Sequence, residues 1–265
     1  MLTRRLYSSL IGIPVLILFI WFGVNTTAAL VAAAAVIGTY EFHRLTMRSG
    51  GTPIFLLGAI AAVLFTVEAA TSNSPDFRGA LLTGVILVPL FALLLMPPKE
   101  RFLADWAWTL AGVLFVGWTL SHAVLLRDID LRGREWLLTA VILVFAVDTS
   151  AYLIGRFLGK RPLAPSISPA KTWEGAIGAF LLAIPASAAI TAGFDLGTTP
   201  AQVILLGTLV GIFAQTGDLV ESMLKRVAGA KDAGELIPGH GGILDRLDSL
   251  IPGVAVVYYF VIYAL

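Results

Sequence analysis

Residues 136–155 read WLLTAVILVFAVDTSAYLIG, an apolar run interrupted by a single charged side chain, Asp148. A helix rises about 1.5 Å per residue and the hydrocarbon core of a bilayer is about 30 Å thick, so roughly 20 apolar residues span it. The run therefore predicts a transmembrane helix. A carboxylate at the centre of such a helix costs about 2.5–3.5 kcal/mol, and it usually faces a partner or a cavity.

The whole chain has the composition of an integral membrane protein. Of its 265 residues, 58% are hydrophobic and 13% are charged, whereas a soluble domain carries roughly 25% charged residues. The chain has no cysteine, which excludes disulfides, thiolate metal sites and cysteine nucleophiles.

Apolar runs between charged, Gly, Pro or Asn breaks predict an all-α bundle of about nine transmembrane helices. They are Leu6–Val24, Thr27–Leu45, Pro53–Ala70, Gly79–Met96, Ala104–Leu125, Trp136–Gly155, Glu174–Ala192, Pro200–Val220 and a last one that ends at Leu265. The first run is nearer the length of a full span than of a signal peptide, which favours an uncleaved helix. The last run is either short or begins near Arg246 and bends at Pro252.

Basic residues are distributed unevenly between the two sides that nine spans define. With the N-terminus inside, all but four of the 18 Lys and Arg residues fall on the inner side. Because Lys and Arg accumulate on the cytoplasmic side, we expect the N-terminus inside and the C-terminus outside. The four exceptions are Arg78, Arg127, Arg132 and Arg134.

Two spans each present a carboxylate and a guanidinium on one helical face, toward the inner side. The faces comprise Asp148, Tyr152, Gly155 and Arg156 on one helix and Asp218, Ser222, Lys225 and Arg226 on the other. Structural ion pairs within a bundle would give the same pattern. Two such faces on the same side favour a functional site.

The segment between the sixth and seventh spans carries hydroxyls and cations just ahead of a helix. Ser166, Ser168, Lys171 and Thr172 suit an anion, because the free N–H groups and the dipole of a helix N-terminus point toward it. Ordinary capping by Ser168 or Thr172 explains the hydroxyls, but it leaves the cations unexplained.

The segment between the last two spans is rich in glycine and charge. Gly234, Gly239, Gly241 and Gly242 surround His240, so the backbone there can approach a ligand closely. Asp245 and Asp248 are three residues apart and can share a helical face. Oxygen ligands without cysteine indicate a hard cation, Mg²⁺. These features predict a phosphate-rich substrate bridged by divalent metal at the membrane edge.

Other polar positions are interpreted as peripheral. Glu41 either lines a site or lies among the headgroups, and the second is favoured; Glu68 is expected at the interface. Gly207 and Gly211 form a G-x-x-x-G pair, which favours a close contact within the chain over a dimer seam.

At these residues the sequence resembles the phosphatidate cytidylyltransferases, or CDP-diacylglycerol synthases. The resemblance is carried by the spaced elements from Ser222 to Asp248, and by the segments around Asp148–Arg156 and Ser168–Gly175. It is strong from about Phe145 to Leu250 and shows no departure within the signature. It implies transfer of CMP from CTP to phosphatidate with Mg²⁺ as cofactor and room for a second cation. With the uneven distribution of basic residues, we expect the protein in the plasma membrane with its active site facing the cytoplasm.

The resemblance implies a set of site residues. The expected catalytic residues are Asp218, Lys225, Arg226, Lys231, His240, Asp245 and Asp248, of which Asp218, Asp245 and Asp248 would hold the metal. The expected substrate-binding residues are Asp148, Arg156, Ser166, Ser168, Lys171, Thr172, Ser222, Gly241, Gly242 and Arg246.

On this interpretation residues 1–135 form a scaffold of transmembrane helices and residues 136–265 carry the catalytic loops. No nucleic-acid partner is expected, and a homodimer is left open. Two other functions remain as alternatives. A CTP-dependent polyprenol or lipid kinase would need a base near the metal to deprotonate an alcohol, and an ion-coupled transporter would use Asp148 and Asp218 without nucleotide turnover.

Overall fold

A computed structural model of the chain describes residues 14–71, 75–95, 101–130, 132–234 and 241–265, together with Gly12 and Leu236. Most of these residues are helical, beginning with residues 14–21. The helices are α1 (Val24–Arg48), α2 (Phe55–Thr71), α3 (Pro75–Leu94), α4 (Phe102–Asp128), α5 (Gly133–Leu158), α6 (Trp173–Gly193), α7 (Pro200–Val227), α8 (Leu244–Leu247) and α9 (Leu250–Ala264). Helix α4 has a π-helical segment at Val113–Trp118.

Six helices of the described chain are long and apolar enough to cross a membrane. They are Asp76–Leu94, Phe102–Asp128, Gly133–Leu158, Trp173–Gly193, Pro200–Val227 and Leu244–Ala264. Helix α2 is apolar but has 17 residues, and α1 is longer but is not among the six. The structure thus fits the expected all-α membrane protein, while the count of nine crossings and their orientation stay predictions.

The last span begins near Arg246, which was one of the two alternatives predicted for it. The chain is helical from Leu244, and a short interruption separates α8 from α9. Pro252 lies in the first turn of α9 and has no N–H to offer the carbonyl of Asp248, which accounts for a break at this point.

A feature that the sequence did not predict joins α5 to α6. Strands β1 (Pro162–Ala164) and β2 (Ser168–Thr172) form a small antiparallel hairpin with Pro162 opposite Thr172 and Ala164 opposite Ser168. Arg226, near the end of α7, donates from Nε to the Ile167 carbonyl at 2.9 Å. The hairpin is therefore tied to the end of α7.

Glycines allow α5, α6, α7 and α9 to pack closely. A Cβ on Gly175 would lie 2.7 Å from the Ala151 carbonyl, and one on Gly207 would lie 2.6 Å from the Cα of Ile184. A Cβ on Gly211 would lie 3.1 Å from that of Ala183. The G-x-x-x-G pair therefore contacts α6 of the same chain, as the sequence indicated.

Glu68 was expected at the membrane interface, and the structure shows that its side chain is enclosed by the protein. Its side chain is buried, with 2% of the residue exposed, and its Oε2 accepts from Arg78 Nε at 2.7 Å. Arg78 also lies over the ring of Trp118. A buried carboxylate is tolerated here because a cation and an aromatic face enclose it.

Candidate functional site

A cavity of about 430 Å³ opens at the end of the bundle where the hairpin lies. Helices α5, α6 and α7 and both strands of the hairpin form its walls. It is lined by Asp148, Ala151, Tyr152, Gly155, Arg156, Leu163, Ala170, Lys171, Thr172, Ala176, Gln215, Asp218 and Leu219. The structure therefore brings together five predicted site residues, which are Asp148, Arg156, Lys171, Thr172 and Asp218.

The charged groups of the cavity are paired. Lys171 Nζ lies 2.7 Å from Asp218 Oδ1, and both side chains remain partly exposed to the cavity, at 23% and 33%. Asp148 Oδ1 accepts from the Ser249 hydroxyl at 3.0 Å. On the exposed rim, Arg156 donates to the Tyr152 hydroxyl at 2.9 Å. An anionic ligand entering here would meet Arg156 first, because the Lys171 amine is buried against Asp218.

The hairpin and the start of α6 fix the position of Lys171. The Thr172 hydroxyl caps α6 by accepting from Gly175 N at 3.2 Å, so the capping interpretation is confirmed for Thr172. Glu174 Oε2 accepts from the backbone N–H groups of Lys160 and Arg161 at 3.0 and 3.2 Å. Neither Ser166 nor Ser168 lines the cavity; Ser168 belongs to β2, and Ser166 is exposed in the turn.

Asp245 anchors the last loop. One of its carboxylate oxygens accepts from Lys225 Nζ at 2.7 Å. The other accepts from the backbone N–H groups of Ala233 and Gly242 at 2.9 and 2.7 Å. Gly241 has φ of 81°, and a Cβ there would lie 2.6 Å from Asp245 Oδ2. The Asp245 carboxylate thus joins the backbone at Ala233 to the backbone at Gly242, and the chain at Gly241 passes close to it.

Glu221 is a member of this cluster that the sequence reasoning missed. It is fully buried, and its Oε2 lies 2.5 Å from Lys225 Nζ. The i, i+4 spacing of a Glu and a Lys is a signal for this pair, but the predicted span ends at Val220, one residue before Glu221. Lys225 therefore bridges two carboxylates, which offsets the cost of burying three charges.

Glu41 is the second missed residue, and the structure corrects its expected headgroup location. Its exposed fraction is 3%. Its two carboxylate oxygens accept from the backbone N–H groups of Ile243 at 3.1 Å and Leu244 at 2.7 Å. The sequence offered a charge at the inner end of α1, but nothing that showed which way the side chain pointed.

The three aspartates expected to hold a metal do not form a ready metal site. Among the described residues, no three Asp, Glu or His side chains form a group that could hold a metal ion. Asp245 departs most from the expectation, because Lys225 and two backbone N–H groups occupy its oxygens. Asp248 lies within electrostatic range of Asp148, Asp218 and Glu221. Carboxylate oxygens are the kind of ligand that a hard divalent cation prefers.

The remaining predicted residues lie around the cavity and around the loop that Asp245 anchors. Ser222 is buried, and its hydroxyl donates to Asp218 Oδ1 at 3.4 Å. Arg226, Lys231 and Arg246 are exposed, so they add positive charge at this end of the bundle. His240 lies outside the described residues.

Comparison with known proteins finds relatives along most of the chain. The phosphatidate cytidylyltransferase of Brucella melitensis is 40% identical over 188 residues, and the match spans 69% of this chain and 66% of that protein. The phosphatidate cytidylyltransferase of Mycobacterium bovis is 35% identical over 253 residues, with 90% of this chain and 81% of that protein covered. That of Synechocystis sp. is 33% identical over 293 residues, with 98% and 96% covered. A model of the cytidylyltransferase family matches residues 3–264. With a match that covers nearly all of its residues, the chain belongs to the cytidylyltransferase family.

Proposed function

We propose that this chain is a phosphatidate cytidylyltransferase, which transfers CMP from CTP to phosphatidate and releases pyrophosphate. The relatives described above carry that name. The observation that carries the proposal is the cavity, which combines an apolar wall with Lys171 and Arg156 at the end of a membrane bundle. Such a site suits a substrate with acyl chains and a phosphate headgroup.

The chemistry requires little help from a base. A phosphate monoester has a second pKa of about 6, so the phosphate of phosphatidate is already largely anionic near neutral pH. One of its oxygens attacks the α-phosphorus of CTP, and the bond from that phosphorus to the oxygen of the β-phosphate breaks. The electron pair leaves with pyrophosphate.

The main task of the protein is therefore electrostatic, because two polyanions must meet. Lys171 lies at the cavity wall and can exchange Asp218 for a phosphate oxygen. Arg156 lies at the rim and is exposed, so it is placed to receive the phosphate group of an incoming substrate. Lys225 is held between Glu221 and Asp245, which makes it a structural support of the loop more than a mobile phosphate ligand.

We include Mg²⁺ as a cofactor, which Asp218 and Asp248 would hold. Bound there, it would neutralise charge on the triphosphate. We also propose that the site lies on the cytoplasmic face of the plasma membrane, because CTP is a cytoplasmic nucleotide and because most basic residues fall on one side of the predicted spans.

Purified protein in detergent should convert CTP and phosphatidate into CDP-diacylglycerol and pyrophosphate when Mg²⁺ is added. Diacylglycerol, which lacks the phosphate nucleophile, is the matched control acceptor and should give no pyrophosphate. Formation of CDP with transfer of a phosphoryl group would identify a lipid kinase instead. Absence of nucleotide turnover in a folded sample would reject both enzymes and leave transport.

A further inference from the structure

The loop that carries the last signature residues is held from the opposite half of the sequence. Glu41 lies on α1, about 200 positions before the loop it binds. Each of its carboxylate oxygens accepts a different backbone N–H, that of Ile243 or that of Leu244. These contacts fix the chain immediately before Asp245.

Two glycines pack closely against the same carboxylate. A Cβ added to Gly242 would come far inside van der Waals distance of Glu41 Oε2, and one added to Gly234 would come equally close to Oε1. Contacts this short are not seen for real Cβ atoms, so any larger residue would displace Glu41 or the loop. The glycine content of the loop is thus explained in part by a residue that belongs to another helix.

The contacts of Glu41 continue directly into the charged cluster. Gly242 N donates to Asp245, and Asp245 accepts from Lys225, which also pairs with Glu221. The next acidic residue, Asp248, follows in the same helical segment and lies within electrostatic range of Asp218 in the cavity. An unbroken set of hydrogen bonds and ion pairs therefore runs from α1 to the loop, and the helical segment that follows the loop leads on to the cavity.

We propose that Glu41 is a positioning residue for the transfer reaction: it holds the 241–245 loop in the geometry that keeps Asp245 on Lys225 and Asp248 near Asp218 of the cavity. This inference rests on the proposed function for its catalytic consequence. The contact that it invokes does not depend on that function. A loop displaced by about 1 Å can lose roughly 100-fold in rate, so an anchor of this kind is functionally significant.

Glu41→Gln tests the anchor with nearly unchanged shape. The amide presents one acceptor oxygen and places its NH₂ group against a backbone N–H, so one of the two hydrogen bonds is lost. In detergent, per folded molecule, we expect kcat/KM for CTP and phosphatidate to fall at least 10-fold. Hydrogen–deuterium exchange of the 241–247 segment should accelerate at least 10-fold.

Glu68→Gln is the matched control. Glu68 is another buried carboxylate of the N-terminal half, with 2% of the residue exposed against 3% for Glu41, and it pairs with Arg78 instead of the loop. We expect this variant to lose thermal stability while keeping wild-type kcat/KM and wild-type exchange at 241–247. A purely structural role for Glu41 would give the same pattern in Glu41→Gln, and that result would overturn the proposal.

Glu41→Asp covers the case in which Glu41→Gln does not fold. It keeps the charge on a side chain that is one methylene shorter. We therefore expect a smaller fall in kcat/KM and a smaller acceleration of exchange at 241–247 than in Glu41→Gln. A folded Glu41→Asp protein with wild-type kcat/KM and wild-type exchange would also overturn the proposal. If the wild-type protein were inactive on CTP and phosphatidate, the proposed function would fail, while faster exchange in Glu41→Gln would still establish the anchor.

Discussion

Asp245 and Asp248 are three residues apart, yet their side chains meet different partners. Asp245 is enclosed by Lys225 and two backbone N–H groups, so Asp245→Asn should break a buried network. We expect it to lower the free energy of unfolding by roughly 1–3 kcal/mol. Thermal unfolding in detergent measures this loss. An Asp245→Asn protein as stable as the wild type would contradict the anchoring role.

Asp248→Asn should behave in the opposite way. Asp248 lies among the like charges of Asp148, Asp218 and Glu221, so removing its charge should leave stability unchanged or raise it slightly. If Asp248 helps to hold Mg²⁺, turnover should be abolished and nucleotide binding should lose its Mg²⁺ dependence. Titration of CTP binding with and without Mg²⁺ measures this. Near wild-type turnover per folded molecule would exclude Asp248 as a metal ligand.

Lys171 is the cation that the cavity wall holds against Asp218. Its Nζ lies 2.7 Å from Asp218 at the cavity wall, so Lys171→Ala should raise KM for an anionic substrate about 10-fold or more, since a hydrogen bond to a charged group contributes about 1.5–3 kcal/mol. Lys160→Ala is the control, because Lys160 is close in sequence but does not line the cavity. Steady-state kinetics with CTP and phosphatidate varied in turn will show which substrate it serves. Equal KM values in the two variants would assign Lys171 a structural role only.

At the level of helices, the contact between α6 and α7 depends on a residue without a side chain. A Cβ on Gly207 would lie 2.6 Å from Ile184 Cα, so Gly207→Ala should force the helices apart and cost about 1–3 kcal/mol. Gly84→Ala is the control, because Gly84 lies within α3 and a Cβ there meets nothing within 4 Å. Thermal unfolding should show a lower midpoint for Gly207→Ala alone. Equal midpoints would mean that α6 and α7 adjust freely.

Helices were predictable because each is encoded by a local apolar run, and their bounds in the structure lie mostly within a few residues of those runs. The hairpin was not predictable, since strands of three and five residues are too short to show a clear alternating pattern. Asp148, Lys171 and Asp218 could be placed at one site because all three lie near the predicted inner ends of their spans. Glu41 could not, because helical periodicity does not tell which neighbour a face meets.

Across the whole molecule, the two halves of the chain share one interior. Glu41 crosses from α1 to the last loop, and His122 of α4 contacts the Tyr259 hydroxyl of α9 at 3.0 Å. The helices before residue 135 therefore contact the C-terminal half at both the loop and the last helix. If these helices act as a scaffold, that scaffold also sets the geometry of the last loop.

Orientation in the membrane is the remaining property of the whole molecule, and the excess of basic residues on one side predicts it. Helix α6 has 21 residues and a length of about 31 Å, so the hairpin before it and the start of α7 after it should lie on opposite faces of the bilayer. The chain has no native cysteine, and Ala170, Asp232 and Ala201 are exposed positions for single cysteines. With an impermeant thiol reagent on intact cells, we expect labelling of Ala201→Cys alone, and labelling of Ala170→Cys and Asp232→Cys only after permeabilisation. Labelling of Ala170→Cys and Asp232→Cys from outside, with Ala201→Cys protected, would reverse the orientation and place the site away from cytoplasmic CTP.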